Sequence, residues 1–272
     1  MKKLILLVLL YTGISISANA ASVDTVLTHS ASMHKDLKAV VIKPADYRAG
    51  KKLPVIYLLH GFSGNYSDWI TKVPAIKDLA DQYHVLLVCP DGGVAGWYFD
   101  SPVNNKSKYE TYIADELVHY IDQHYATLAD KKFRAITGLS MGGHGALFLA
   151  FKHQGIFGAA GSMSGGVDIR QFPDRFGIEE VLGKYSEYPQ RWEQNSVVNM
   201  LYLLKPNSLA ITFDCGYDDM MYASNQKLHE ELLDRKIPHD YIVRPGGHTW
   251  DYWGNSVAYQ VLFFSKYFKQ AK

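Results

Sequence analysis

Cysteine is scarce in this chain, with two among 272 residues, so no disulfide framework can hold it together. No Cys/His spacing of the metal-ligand type is present either. Excess charge is also missing: the formal net charge is +1 and no basic run occurs, which removes the reason to expect a nucleic-acid partner. There is no internal repeat, low-complexity tract or linker that would divide the chain. Apolar runs long enough to span a bilayer are absent as well. What is there, 47% hydrophobic residues over a length that can bury a large core, describes one globular α/β unit.

The first residues form a separate pattern. Lys2 and Lys3 precede the apolar run Leu4 to Leu10, and Ala18-Asn19-Ala20 is an A-x-A cleavage site. Residues 1–20 are therefore expected to be a secretory signal peptide, and residues 21–272 a single exported domain, periplasmic or secreted. The apolar run is too short for a stable membrane anchor.

Gly138-Leu139-Ser140-Met141-Gly142-Gly143 is the most informative stretch. It matches G-x-S-x-G, the sharp strand-to-helix turn that exposes a serine hydroxyl in an α/β-hydrolase fold. The flanks agree. Phe133 to Thr137 reads as a short buried strand, and Gly145 to Phe151 as an apolar helix. Strands alternating with helices elsewhere predict a mostly parallel central sheet with helices on both faces. Strands are expected at Pro54–Leu59, Val85–Cys89, Phe157–Ser164, Leu209–Phe213 and Tyr241–Val243, after an antiparallel entry over Thr25–Lys43. Helices are expected near Ile76–Tyr83, Tyr109–Tyr125, Ser224–Arg235 and Val257–Phe268. Residues 167–206 break the rhythm and are expected to form a partial lid over the strand ends that builds much of the substrate pocket. In that strand order Cys89 and Cys215 stand several strands apart, as buried free thiols.

A serine hydroxyl needs a base within reach and an acid to orient that base. Chain order in this fold is Ser, then Asp or Glu, then His. His248 follows a strand and the turn Pro245-Gly246-Gly247, which gives its loop freedom to reach Ser140. His144 lies on the helix after the turn and cannot easily swing back. The acid lies among Asp214, Asp218 and Asp219. Asp214 belongs to the strand, and alternation lets only one of the other two face His248, without deciding which. The oxyanion donors are expected to be the backbone N–H groups of Met141 and of Phe62, the latter in His60-Gly61-Phe62-Ser63-Gly64. His60 is expected to hold that loop by hydrogen bonds.

These residues carry a family resemblance. The chain resembles the esterase D-like group of α/β-hydrolases, which includes S-formylglutathione hydrolases, short-chain and feruloyl esterases, and mycolyltransferases. The matching stretches are Leu58 to Gly64, Trp97 to Ser101, Tyr109 to Ile113, Gly138 to Gly143, Asp214 to Asp219 and Gly247 to Trp250. The resemblance implies Asp219 as the acid. It also implies that Trp97 and the Tyr109–Glu110 pair lie near the site, so Trp97, Trp250 and Glu110 are candidate substrate-binding residues. S-formylglutathione hydrolases are typically cytosolic, whereas an exported chain fits esters of feruloyl or acetyl groups on plant polysaccharides. Trp250, Tyr252 and Trp253 are placed to stack on an aromatic acid or a sugar. Such chemistry needs neither metal nor organic cofactor. The alternatives are acyl transfer to a sugar, a thioesterase, and a carbohydrate-binding protein without catalysis, whose signature would be a lost nucleophile or base.

Overall fold

The computed structural model describes residues 20–271, so the expected leader falls outside the described residues, Ala20 apart. An eight-stranded sheet forms the centre, in the order β1-β2-β4-β3-β5-β6-β7-β8. β1 (Ser22–Ser30) and β2 (Lys35–Lys43) are the antiparallel entry. β3 (Val55–Leu59), β4 (Leu86–Pro90), β5 (Arg134–Gly138), β6 (Ala159–Met163), β7 (Ala210–Gly216) and β8 (Asp240–Arg244) run parallel. This is the α/β-hydrolase architecture that the alternation predicts. β3 to β6 are buried at every position, because helices cover both faces; β3 and β4 are accordingly apolar, while β5 and β6 carry the buried polar residues Arg134, Thr137 and Ser162.

Alternation along each strand divides the core. Val55, Tyr57 and Leu59 of β3 face one apolar layer, and Ile56 and Leu58 face the other. The second layer is closed by α1 (Asp68–Lys72), α2 (Ile76–Tyr83) and α9 (Trp250–Gln270), through residues such as Trp69, Ile76, Val257 and Phe264. The first layer is closed by α3 (Tyr109–Thr111), a π-helical turn (Tyr112–Leu117), α4 (Val118–His124), α5 (Met141–Lys152) and α8 (Tyr222–Asp234). Among the described residues, no helix is long and apolar enough to cross a membrane.

One boundary differs from expectation. α9 begins at Trp250 rather than Val257, because the Thr249 side chain accepts from the Tyr252 N–H and caps a turn that the sequence presents as an aromatic cluster. Glu116 ties the 109–124 helix to the entry hairpin, accepting from the Ser30 hydroxyl and the Ser32 N–H. Cys89 on β4 and Cys215 on β7 are free and buried, with three strands between them.

The 167–206 segment is a packed shoulder more than a cover. Its α6 (Ile178–Leu182) and α7 (Pro189–Asn195) bury Ile178, Leu182 and Trp192 against the first layer. His144 of α5 pins it there. The ring is fully buried against Trp97, Phe99 and Phe148, and its Nε2–H donates to the Asn195 carbonyl at 2.8 Å. Burial pushes the His144 imidazole down to about 4. The unfolded chain therefore binds a proton that the folded chain refuses, and stability held above the ordinary histidine value drains away as pH falls toward 4. We expect about 3 kcal/mol to be lost over that interval from this group. Urea unfolding at pH 7 and pH 4.5 checks it: the pH-dependent loss should shrink in His144→Gln.

Candidate active site

Ser140 sits between β5 and α5 with φ 54° and ψ −116°, a conformation that residues with a Cβ rarely adopt. Two features hold it. The Ser140 N–H donates to the Met163 carbonyl at 2.9 Å, and the Gly166 N–H donates to the Ser140 carbonyl at 3.2 Å. Gly142 lets α5 press on the end of β3: a Cβ there would lie 2.5 Å from the His60 carbonyl oxygen. The turn needs glycine for closeness of approach, not only for flexibility.

The loop after β8 brings His248 over this turn. Its approach to β7 is as tight, since a Cβ on Gly216 would lie 2.1 Å from the Gly246 carbonyl oxygen. His248 Nε2 lies 2.8 Å from Ser140 Oγ, and Nδ1 lies 3.0 Å from both carboxylate oxygens of Asp219. A carboxylate can only accept, so Nδ1 carries the hydrogen and the Nε2 lone pair faces the serine hydroxyl. The Asp219 side chain is fully buried, and the Met221 N–H donates to Oδ1 at 2.8 Å, which fixes the carboxylate from a second direction.

The three aspartates are thus separated by position. Asp219 faces His248, and Asp218 faces solvent. Asp214 is buried inside β7, where Ser256 and Gln260 of α9 donate to it and the Arg244 guanidinium lies 3.2 Å away. Burial pushes the Asp214 carboxyl above the ordinary carboxylate range. Gln260 also donates to the Ser162 carbonyl and accepts from Thr137, so one side chain joins β5, β6 and β7 beneath the site.

The loop after β3 lies against the turn, with Gly61 beside Leu139 and Ser140. His60 holds it, as expected. Nδ1–H donates to the Gly61 carbonyl at 2.8 Å and Nε2 accepts from the Gly92 N–H at 2.7 Å, while burial lowers the ring's proton affinity and keeps it neutral. Among the described residues, no acceptor engages the N–H of Phe62 or Met141. The Met141 N–H is at the turn and the Phe62 N–H in the loop beside it.

Ser140 and His248 open into a cleft of about 450 Å³, lined also by Phe62, Phe176, Trp250 and Trp253. A larger cavity, about 640 Å³, lies at the amino ends of β7 and β8 and contains none of these groups. The chemistry belongs to the smaller one. Of the three residues expected to contact substrate, Trp250 lines the cleft. Trp97 does not: it is buried, and its Nε1–H donates to the Phe176 carbonyl at 2.9 Å. Glu110 is elsewhere, accepting from Lys152 at 2.6 Å and His153 at 2.9 Å. That end of α5 is about 18 Å along the helix from the serine. Burial works against ionisation there, but the bonds from His153 and Lys152 hold the Glu110 carboxyl below the ordinary range. The expectation that the 167–206 segment forms much of the pocket is also corrected, since Phe176 is its one residue in the cleft lining. Phe176 was not singled out in the sequence because it is one of several aromatics in an irregular stretch.

Residues 30–264 match the model of an esterase family described as "Putative esterase". The chain belongs to this esterase family. An esterase of Mycobacterium tuberculosis is 32% identical over 240 residues, which cover 77% of this chain and 52% of the relative. The chain thus spans about half the length of that relative. An acetyl esterase of Caldicellulosiruptor saccharolyticus is 26% identical over 88% of this chain and 96% of its own. Among solved structures, a ferulic acid esterase superposes with a TM-score of 0.79 at 28% identity, covering 92% of this chain and 99% of its own.

If Asp219 alone orients the histidine, Asp219→Asn should slow labelling of Ser140 by a fluorophosphonate roughly 10⁴-fold, by favouring the wrong tautomer. Asp218→Asn should label at the parent rate. Equal slowing in both variants would mean that the acid is misassigned.

Proposed function

We propose that this chain is an exported serine carboxylesterase that cleaves feruloyl or acetyl groups from plant polysaccharides or related small esters. The observation that carries this reading is the unbroken relay from Asp219 through His248 to Ser140. Ser140 Oγ attacks the ester carbonyl while His248 Nε2 takes its proton. Asp219 keeps the hydrogen on Nδ1 and stabilises the imidazolium that forms. The N–H groups of Phe62 and Met141 receive the oxyanion, each worth about 3 kcal/mol of barrier by analogy with other such donors. His248 then returns the proton to the departing alcohol. Water then attacks the acyl carbonyl as His248 takes its proton, and His248 returns that proton to Ser140 Oγ as the bond to the acyl group breaks and the acid leaves.

The acyl choice rests on two supports. The ferulic acid esterase and the acetyl esterase are similar over most of this chain. The cleft beside the relay is walled by Phe62, Phe176, Trp250 and Trp253, which suits a planar acid or a sugar ring. Export rests on the leader pattern of residues 1–20. A binding-only role would leave the nucleophile or base without a purpose, and both are in register here.

The test is turnover of methyl ferulate and p-nitrophenyl acetate by the parent chain and by Ser140→Ala. The variant should keep the parent's circular dichroism and thermal midpoint and lose at least 10³-fold in kcat. Turnover that survives in the variant would remove Ser140 from the mechanism. Acetate turnover without ferulate turnover would make the enzyme a short-chain esterase.

A further inference from the structure

Phe176 is held in the cleft by an arrangement that packing alone does not require. Its φ is +61°, in the left-handed region that a residue with a Cβ avoids. Gly177 follows at φ +64°, and a Cβ there would meet Ala95 at 2.7 Å. The Phe176 carbonyl is fixed by the Trp97 indole N–H at 2.9 Å. Trp97 is itself left-handed at φ +49° and only 1% exposed, so the donor cannot move. Two strained residues from distant parts of the chain are thus joined by one hydrogen bond. Such strain persists only where surrounding structure over-determines it, and it concentrates at functional positions.

The consequence is the placement of one ring. Phe176 meets Phe62 edge-on at 5.6 Å and Phe172 at 5.3 Å, and presents its remaining surface to the cleft that holds Ser140. A second aromatic series, Trp69–Trp250–Trp253, ends on His248 in the same cleft. An alkyl acyl group entering this space gains buried area only. A flat aromatic acyl group gains area and the edge-to-face attraction of the ring quadrupoles.

We propose that Phe176 is the residue that selects aromatic over alkyl acyl groups, and that Trp97 is a positioning residue that acts through the Phe176 carbonyl. The proposal rests on the esterase reading above and adds to it the side chain that sets acyl preference. It also gives Trp97 a role without substrate contact.

Methyl ferulate and methyl butyrate share one leaving group, so their ratio of kcat/KM isolates the acyl side. That ratio is measured for the full chain and for Phe176→Ala, Phe176→Leu and Trp97→Phe, with fluorophosphonate titration of Ser140 to count active molecules. Phe176→Ala and Phe176→Leu should lower the ferulate-to-butyrate ratio roughly fivefold to tenfold, mostly through KM for ferulate. Trp97→Phe, which keeps a buried ring and loses the N–H, should move the ratio the same way by a smaller factor. A ratio within twofold of the parent in Phe176→Ala, or an equal loss on both esters, would overturn the proposal and leave Phe176 as scaffold. A parent that turns over butyrate and not ferulate would overturn it too. A parent inactive on both esters would instead bring down the esterase reading.

Discussion

Every functional distance in this molecule depends on a backbone that cannot relax at Ser140. The left-handed turn lifts the hydroxyl clear of the sheet and leaves the Met141 N–H unengaged. Left alone, such a turn would cost about 1–3 kcal/mol and would unwind. It stays because β6 supplies the acceptor for the Ser140 N–H and because Gly142 lets the helix sit directly on the end of β3. The glycines are therefore spacers between two rigid bodies.

A second constraint works below the first. The strands that lead to Ser140 and Asp219 are tied at the level of their side chains by Gln260, with Asp214 and Ser256 completing the network. Arg244, next to the loop of His248, leans on the same carboxylate and packs its guanidinium over Tyr259. A buried polar cluster of this kind adds little net stability, but it admits few arrangements. Sliding one strand would orphan several groups at once. Register of Ser140, Asp219 and His248 is enforced from underneath, while the cleft above can vary.

Legibility in the sequence followed how local each signal is. The elbow and the base were readable because the glycines, strand and helix that make them are contiguous. The acid was not readable from residues alone. Asp218 and Asp219 differ only in which way one peptide turns, and family resemblance had to choose. Glu110 illustrates the opposite limit: a polar residue inside a family-like stretch pointed toward the site, while Lys152 and His153, at the far end of α5, had claimed it. Trp97 was right in neighbourhood and wrong in contact, since its indole reaches the cleft through another residue's carbonyl. The irregular 167–206 segment offered no period from which burial could be read, so its packed core stayed hidden behind its aromatic content.

The position of Gln260 well after the nucleophile turn has a consequence for synthesis. The turn is made first; His248 follows Ser140 by 108 residues, and Gln260 follows Thr137 by 123. Until α9 docks, Thr137, Asp214 and the Ser162 carbonyl face an unfilled polar gap. A nascent chain that has not yet made His248 and α9 therefore holds the serine turn without its relay. The contacts that complete the site form together, when that helix docks.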